Sequence, residues 1–304
     1  MDYSLRRAAL AGAALALALL CGRPPAARAD TVVTTYLGAG LTRPDFSGSV
    51  CTRAGMTACY YGSENWTGWN GANNYQSTFT DGMHNFTPAT SITGIYSAGT
   101  NTTTGTDWVK TPANQYGGQN GTDPYPELFG PTAPQANDHT AAQNSYSVTF
   151  TANGVPGANY FGIWISALDA HNNLQIYGTS GQLVLDFTPT QLIKALGACP
   201  TSGYCGNPTA AFSGQDACEQ FAYVSFFDLT GYFSSVSLSD NGGTGFESSN
   251  HAVAYFDPNT PFGTVLSSTA PVPEPPALWL LATGVLLIGW ARRRRPRTDP
   301  SRAA

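Results

Sequence analysis

Positively charged residues are scarce in this chain, and scarcest in its middle. Ten of the 14 Lys and Arg lie before Asp30 or after Ala270, against three of the 19 Asp and Glu. The stretch from Asp30 to Ala270 therefore carries a formal charge of 4 minus 16, or −12, where the whole chain has −5. Its four cations are Arg43, Arg53, Lys110 and Lys194. So few cations cannot neutralise a phosphate backbone, which argues against nucleic acid as a partner.

Motifs of the common hydrolases and metal sites are also missing. The chain has no Gly-x-Ser-x-Gly elbow, His-Glu-x-x-His helix or phosphate loop. No cysteines have Cys-x-x-Cys spacing and the four histidines are scattered, so a zinc site is unsupported. We expect a protein that is not an enzyme and that needs no cofactor.

Long apolar runs occur only near the two ends. Arg6 and Arg7 precede an apolar core that ends at Leu20, and Ala27-Arg28-Ala29 has the small-x-small pattern that signal peptidase accepts. The sequence therefore predicts a signal-peptide helix within residues 1–29. Lipidation at Cys21 is the alternative, and the large Leu20 before that cysteine disfavours it.

The second apolar run follows Val272-Pro273-Glu274-Pro275 and precedes Arg292, Arg293, Arg294 and Arg295. It is shorter than the roughly 20 residues of a usual membrane span, but flanking Trp and Arg side chains extend its reach. The pattern predicts a transmembrane helix over 277–291, with the arginines cytoplasmic and the proline motif extended on the other side. A simple tail anchor is the alternative.

This order of motif, apolar helix and arginines resembles the PEP-CTERM sorting signal of Gram-negative bacteria, which the membrane protease-transpeptidase exosortase reads. The resemblance implies that residues 271–296 are a sorting signal. It also implies export across the inner membrane, transient anchoring there, processing by exosortase, and delivery to the cell surface or extracellular matrix.

Five cysteines lie in the body between the two signals. An exported chain meets an oxidising compartment, so pairs should close as disulfides. Proximity favours Cys51 with Cys59, and Cys199 with either Cys205 or Cys218. The remaining thiol is either buried and inert or available for an intermolecular bond.

The body, residues 30–270, has about the length of one large all-β domain. Dense Gly, Asn, Ser and Thr without long helical periodicity predict a single β-sandwich of jelly-roll character with one short helix. The part before about Ala142 predicts long loops, turns and a few strands. Its expected strand is 31–36 and its expected turns are Asn70-Gly71, Asp81-Gly82 and Asn120-Gly121.

The part after Ser145 is more regular. Alternating apolar residues predict strands at 145–150 and 161–165, with Trp164 on the opposite face from its apolar neighbours. A hairpin is expected around residues 178–181, and a helix from an N-cap at Thr188 to Gly197. Three further strands are expected at 221–228, 233–238 and 252–256.

Segments of this second part resemble a family of exosortase-dependent surface proteins known chiefly from their sequences. The most distinctive is Gly245-Phe246-Glu247-Ser248-Ser249-Asn250-His251. The resemblance implies location and architecture, because that family has no settled activity. Ser249 stands where relatives commonly have an acidic residue, which weakens a metal-binding interpretation.

Polar residues cluster around the glycines of this block. We expect these polar side chains to cap the backbone of a tight loop between two strands. They are Asp240, Asn241, Glu247, Asn250 and His251. Ca²⁺ binding by Asp240, Glu247 and Asn250 is one alternative, and acid-base chemistry by a paired Asp and Glu is another.

Asp169 begins a second polar cluster, directly after the strand that holds Trp164. An aromatic ring beside carboxylate and amide groups suits a sugar, although such rings more often fill a core. A further aromatic group contains Tyr60, Tyr61, Trp66, Trp69 and Tyr75. The sequence thus predicts an exported surface protein with a structural or adhesive role. The alternative is a carbohydrate-binding module or carbohydrate-active enzyme acting on exopolysaccharide.

Overall fold

The structure is a computed structural model. It describes residues 31–37, 60–64, 66, 75–79, 81–85, 91–98, 109–110, 115–117, 124–128, 144–242, 245–255 and 263–266. Both terminal signals, the Cys51–Cys59 pair, Trp69 and the turns at 70–71 and 120–121 lie outside these residues. No helix within the described ranges has the length and apolar character to cross a membrane.

The described residues form short antiparallel strands and two short helical segments. The helix α1 spans Thr190–Leu196, and a 3-10 turn spans Ala210–Phe212. The strands are β1 Val32–Tyr36, β2 Tyr60–Glu64, β3 Tyr75–Ser77, β4 Asp81–Asn85, β5 Ser91–Ala98, β6 Val109–Lys110, β7 Tyr125–Leu128, β8 Ser145–Asn153, β9 Tyr160–Leu168, β10 Asn172–Gly178, β11 Leu183–Phe187, β12 Gln220–Asp228, β13 Phe233–Asp240, β14 Phe246–Tyr255 and β15 Thr264–Val265.

The strands form two sheets. Sheet I has the order β15-β1-β12-β9-β14-β2-β4, with β7 pairing beside the start of β14 and β6 pairing with β7. Sheet II has the order β11-β10-β13-β8-β5-β3. From β8 to β14 the chain alternates between the sheets except at the β10–β11 hairpin, which is the path of a jelly roll. The predicted all-β sandwich is confirmed.

The main core lies between the sheets, where alternate residues from both pack together. On β9 the residues that face this core are Phe161, Ile163 and Ile165. Trp164 points the other way and packs with Phe221 and Tyr223 in a separate cluster, as the alternation predicted. Strands β9, β12 and β14 are buried along their whole length. The centre of sheet I is therefore covered on both faces.

The predicted hairpin and helix are present, with one correction. Gly181 has a positive φ of 78° and donates its amide to the Gly178 carbonyl at 2.9 Å, closing the β10–β11 turn. Helix α1 ends at Gly197 as expected. The predicted N-cap at Thr188 is wrong, because Pro189 occupies that position and its carbonyl accepts the Ile193 amide at 2.8 Å.

Two loop predictions are also wrong. Asp81-Gly82 begins strand β4 and is not a turn, since it pairs with β2. Strand β14 begins at Phe246, six residues before the predicted 252–256 strand. Its polar residues have low strand propensity, but β9 on one edge and β7 and β2 on the other complete its backbone hydrogen bonds.

One disulfide lies within the described residues. Cys199 is bonded to Cys205, which decides between the two predicted partners. Cys218 is free and exposed, so the expectation that a leftover thiol could be buried does not apply to it.

Candidate functional site

Strand β14 carries the distinctive polar block through the middle of sheet I. Its residues alternate, so Ser248 faces sheet II while Glu247 and Ser249 point to the outer face, the face of sheet I turned away from sheet II. A bulge follows Ser249, with Asn250 at a φ of 45°, and it places His251 in the core. Glu247, Asn250 and His251 are therefore strand residues, and the prediction that they cap a loop is wrong.

His251 is the centre of a buried hydrogen-bond network between the sheets. Its Nδ1 is 3.0 Å from the Tyr96 hydroxyl, and its Nε2 is 3.2 Å from the Tyr146 hydroxyl. Ser248 Oγ lies 2.8 Å from that Tyr146 hydroxyl and 3.3 Å from Nε2. A neutral imidazole has one donor and one acceptor nitrogen, and this network supplies both with partners.

Burial sets the charge of this network. Burial lowers the pKa of His251 from 6.5 to about 3, so the imidazole is neutral at physiological pH. Burial also raises the pKa of Tyr146, and burial followed by the nearby Glu64 raises that of Tyr96. The cluster is a neutral structural element that joins β5, β8 and β14.

Aromatic rings surround the imidazole. Tyr146 stacks on His251 with ring centroids 6.0 Å apart, and Trp66 meets it edge-on at 5.3 Å. Glu64 accepts hydrogen bonds from the Trp66 amide at 2.6 Å and from the Tyr75 hydroxyl at 3.0 Å. Trp66 is buried in the main core and Tyr75 packs against it, which confirms the core interpretation for these two rings.

The outer face of sheet I has a different character. Cross-strand partners share a face, so Tyr223, Trp164 and Ser249 form one row across β12, β9 and β14. Glu247 lies two residues from Ser249, opposite Glu127 on β7. Both glutamates are nearly fully buried, with 3% and 4% exposure. Two carboxyl groups therefore stand side by side next to an aromatic row.

Further acidic residues lie near this pair, and their charges affect the pKa of Glu247. Burial raises the pKa of Glu247 well above its usual value, and the charges of Glu127, Glu219 and Asp169 raise it further. Burial, with the charge and hydrogen bond of Asp216, raises the pKa of Glu219 to about 7. Acids so close together cannot all be ionised, so protons are retained among them near neutral pH.

Gly245 makes room for the Glu247 carboxyl group. A Cβ at Gly245 would collide with Oε1 of Glu247, so a larger residue here would displace that carboxyl group from where it folds back. The Gly245 carbonyl accepts a hydrogen bond of 2.8 Å from Asn172 Nδ2, which ties this position to the start of β10.

Three buried polar atoms near this pair have no hydrogen-bond partner. They are Glu247 Oε2, Ser249 Oγ and Asn250 Nδ2. The Asn250 carbonyl, in contrast, accepts the Tyr223 hydroxyl at 3.3 Å. Leaving a buried polar group unpaired costs about 1–3 kcal/mol, so this concentration on one strand calls for an explanation.

The other predicted ligands have local partners. Asp240 ends β13 in sheet II, and its Oδ1 accepts the Gly242 amide at 3.0 Å, which confirms the predicted capping at this residue. Asp169 accepts the His171 amide at 2.6 Å. The structure thus gathers Asp169 with Glu247 but places Asp240 on the other sheet. Within the described residues no three His, Cys, Asp or Glu side chains form a group that could hold a metal ion.

Sequence reasoning missed Glu127, Asp216 and Glu219. Glu127 lies in Tyr125-Pro126-Glu127-Leu128, a four-residue strand whose proline disfavours strand prediction. Its position opposite Glu247 depends on the register of two strands far apart in the chain, for which the local sequence holds no signal.

The C-terminal segment carries a signal for protein sorting. Residues 271–295 match the PEP-CTERM protein-sorting motif. This motif implies export, transient membrane anchoring through the C-terminus and processing by exosortase. The match contains the predicted Val272-Pro273-Glu274-Pro275 and the four arginines from Arg292 to Arg295. No curated protein matches the chain, and the resemblance of the body to an exosortase-dependent family stays a prediction.

Proposed function

We propose that this chain is a non-enzymatic surface protein of a Gram-negative bacterium with a structural or adhesive role. The sorting motif at residues 271–295 is the observation that carries the proposal. In this scheme signal peptidase removes residues 1–29, exosortase processes the tail, and the jelly-roll domain is displayed at the cell surface or in the extracellular matrix. The Cys199–Cys205 disulfide suits an oxidising location.

Mass spectrometry of the C-terminus tests this route. In wild-type cells we expect the mature chain to end near Pro273-Glu274-Pro275, and in cells without exosortase we expect the tail to persist. Replacing Glu274 with Ala in an exosortase-containing strain should have the same effect as the deletion. An unprocessed tail in both strains would reject the sorting route.

A carbohydrate-related role is the second candidate, as a binding module or as an enzyme on exopolysaccharide. It is supported by Trp164 lying in one row with Ser249, beside the Glu247–Glu127 pair. Glycan-array binding without release of reducing sugar would favour the module. Sugar release that is lost in Glu247→Gln would favour the enzyme.

Calcium is the remaining cofactor candidate. The three proposed ligands, Asp240, Glu247 and Asn250, come from both sheets. We therefore expect the melting temperature to be the same with added Ca²⁺ and with a chelator. A clear increase with Ca²⁺ would restore the metal interpretation.

A further inference from the structure

We propose that Cys199, Cys205 and Cys218 form a thiol–disulfide exchange site at the surface of the domain. In it the free thiol of Cys218 displaces Cys199 from the Cys199–Cys205 disulfide. These three residues are called the exchange site below. The inference goes beyond the proposed surface role and does not depend on it, because it rests on the packing of the segment between α1 and β12.

The first argument is the position of Cys218 relative to Cys205. Cys205 forms an isolated antiparallel bridge with Gln220, which follows Cys218 closely in the chain. The next amide after Cys205, that of Gly206, donates to the Glu219 carbonyl at 3.0 Å. The backbone immediately after Cys218 therefore lies against Cys205 and Gly206.

The second argument is the turn that carries Cys218. The Glu219 amide donates to the Asp216 carbonyl at 3.2 Å, so Cys218 lies within a tight turn. This turn packs on Gly206, where a Cβ would lie 3.6 Å from the Cα of Ala217. A disulfide requires the two Cα atoms to be within about 7 Å of each other, and adjacent backbone segments are about 5 Å apart. A small shift of this turn therefore brings the two sulfurs together.

The third argument is that all three cysteines are accessible. Cys218 is free and exposed, and Cys199 and Cys205 are each partly exposed. The rate of attack on a disulfide depends on access to its sulfur atoms. Because no member of the exchange site is fully buried, exchange needs no opening of the domain.

The exchange step balances without a reagent from outside. The Cys218 thiol gives its proton to solvent, and its sulfur forms a bond to the Cys205 sulfur. The Cys199 sulfur leaves with the electron pair of the broken bond and takes up a proton. One S–S bond breaks and one forms, so there is neither oxidation nor reduction overall. The product has a Cys205–Cys218 disulfide and a thiol at Cys199.

The loop between Cys199 and Cys205 has hydrogen bonds of its own. The Ser202 amide donates to the Ala198 carbonyl at 3.1 Å, and the Cys205 amide donates to the Ser202 carbonyl at 3.3 Å. These bonds hold the loop when the disulfide leaves it. The domain therefore has two disulfide forms of similar backbone shape, and each form presents a different thiol to solvent.

Disulfide mapping of the native protein tests the proposal. Protein purified from the cells that make it is kept at neutral pH for several hours, because uncatalysed disulfide rearrangement takes minutes to hours. Acid then stops exchange by removing thiolates, N-ethylmaleimide marks the free thiols under denaturing conditions, and pepsin digests the chain in acid. Tyr204 and Phe212 lie between successive cysteines, so cleavage beside these aromatic residues separates the three.

We expect a fraction of wild type to contain linked Cys205–Cys218 peptides, with an equal amount of label on Cys199 and none on Cys205. The fraction should not change with protein concentration, because the exchange occurs within one chain. In Cys218→Ser, the matched control, the label on Cys199 should be lost entirely.

Three results would overturn the exchange site. Label on Cys218 alone means that no exchange occurs. Equal label on Cys199 and Cys205 means only that part of the disulfide is reduced. A linked fraction that rises with protein concentration means that the exchange takes place between copies.

The Cys199→Ser variant gives an independent check on whether Cys218 reaches Cys205. The two remaining thiols of the segment meet an oxidising compartment, so we expect them to be bonded to each other in most of the protein. Full labelling of both in a variant that melts cooperatively would contradict the proposal. If this variant does not fold, the map of wild type still decides, and neither result bears on the sorting route.

Discussion

Replacing His251 with Gln should change how stability depends on pH. The native imidazole stays neutral because burial lowers its pKa from 6.5 to about 3. The unfolded chain binds a proton below pH 6.5, whereas the native chain does not bind one until about pH 3. Wild type therefore loses stability from this group as pH falls through that interval, and glutamine, which does not titrate, loses none.

The expected size follows from the two pKa values. Each pH unit between them costs wild type about 1.4 kcal/mol, which reaches on the order of 5 kcal/mol at pH 3. At pH 7 the variant should be less stable than wild type by about 2–4 kcal/mol, because the Tyr96 and Tyr146 hydroxyls lose their partner and the ring leaves a void. That deficit should shrink steadily as the pH falls from 6.5.

Urea unfolding at several pH values between 7 and 4 measures this difference directly. Ser248→Ala is the matched control, since it removes a non-titrating member of the same network. Its deficit should be the same at every pH. A His251→Gln deficit that is equally constant would refute the reasoning, because it would mean that the native imidazole accepts its proton as readily as the unfolded one.

Three further predictions concern other parts of the domain. The raised pKa of Glu247 means that wild type loses stability as pH rises above 4.5, so Glu247→Gln should become increasingly more stable than wild type over that range in urea unfolding. Gly162→Ala should lower stability by about 1–3 kcal/mol, because its Cβ would collide with two tyrosine hydroxyls, while Gly203→Ala, which has open space around it, should melt like wild type. Replacing Cys199 and Cys205 together with Ser should cost about 2 kcal/mol, the value for a short closed loop, and an unchanged denaturation midpoint would contradict it.

The sequence correctly predicted those strands, turns and helix ends that depend only on residues close together in the chain. The strand at β9, with Trp164 opposite Phe161 and Ile163, follows from alternation alone. The hairpin before β11 and the glycine stop of α1 follow from residues that accept positive φ. These features need no knowledge of distant segments.

The candidate site could be predicted only in part, because its residues are brought together by pairing between strands that are distant in the sequence. Glu247 and Trp164 were named as candidates, but their shared face depends on β14 lying beside β9. Glycines and serines suggested a loop from 241 to 251, whereas pairing on both edges makes most of it a strand. Glu127 entered the site only through the register of β7.

Several strands that pair with each other in sheet I are far apart in the sequence. In sheet I, Val32 on β1 pairs with Asp228 on β12, and β2 pairs with the last residues of β14. Such non-local pairing is slow, because the ends of a long segment must meet before their contacts stabilise it. Sheet I cannot be completed until β15, which pairs with β1, has been synthesised, shortly before the sorting motif. The order of the strands thus delays completion of sheet I until nearly all of the chain before the sorting motif has been made.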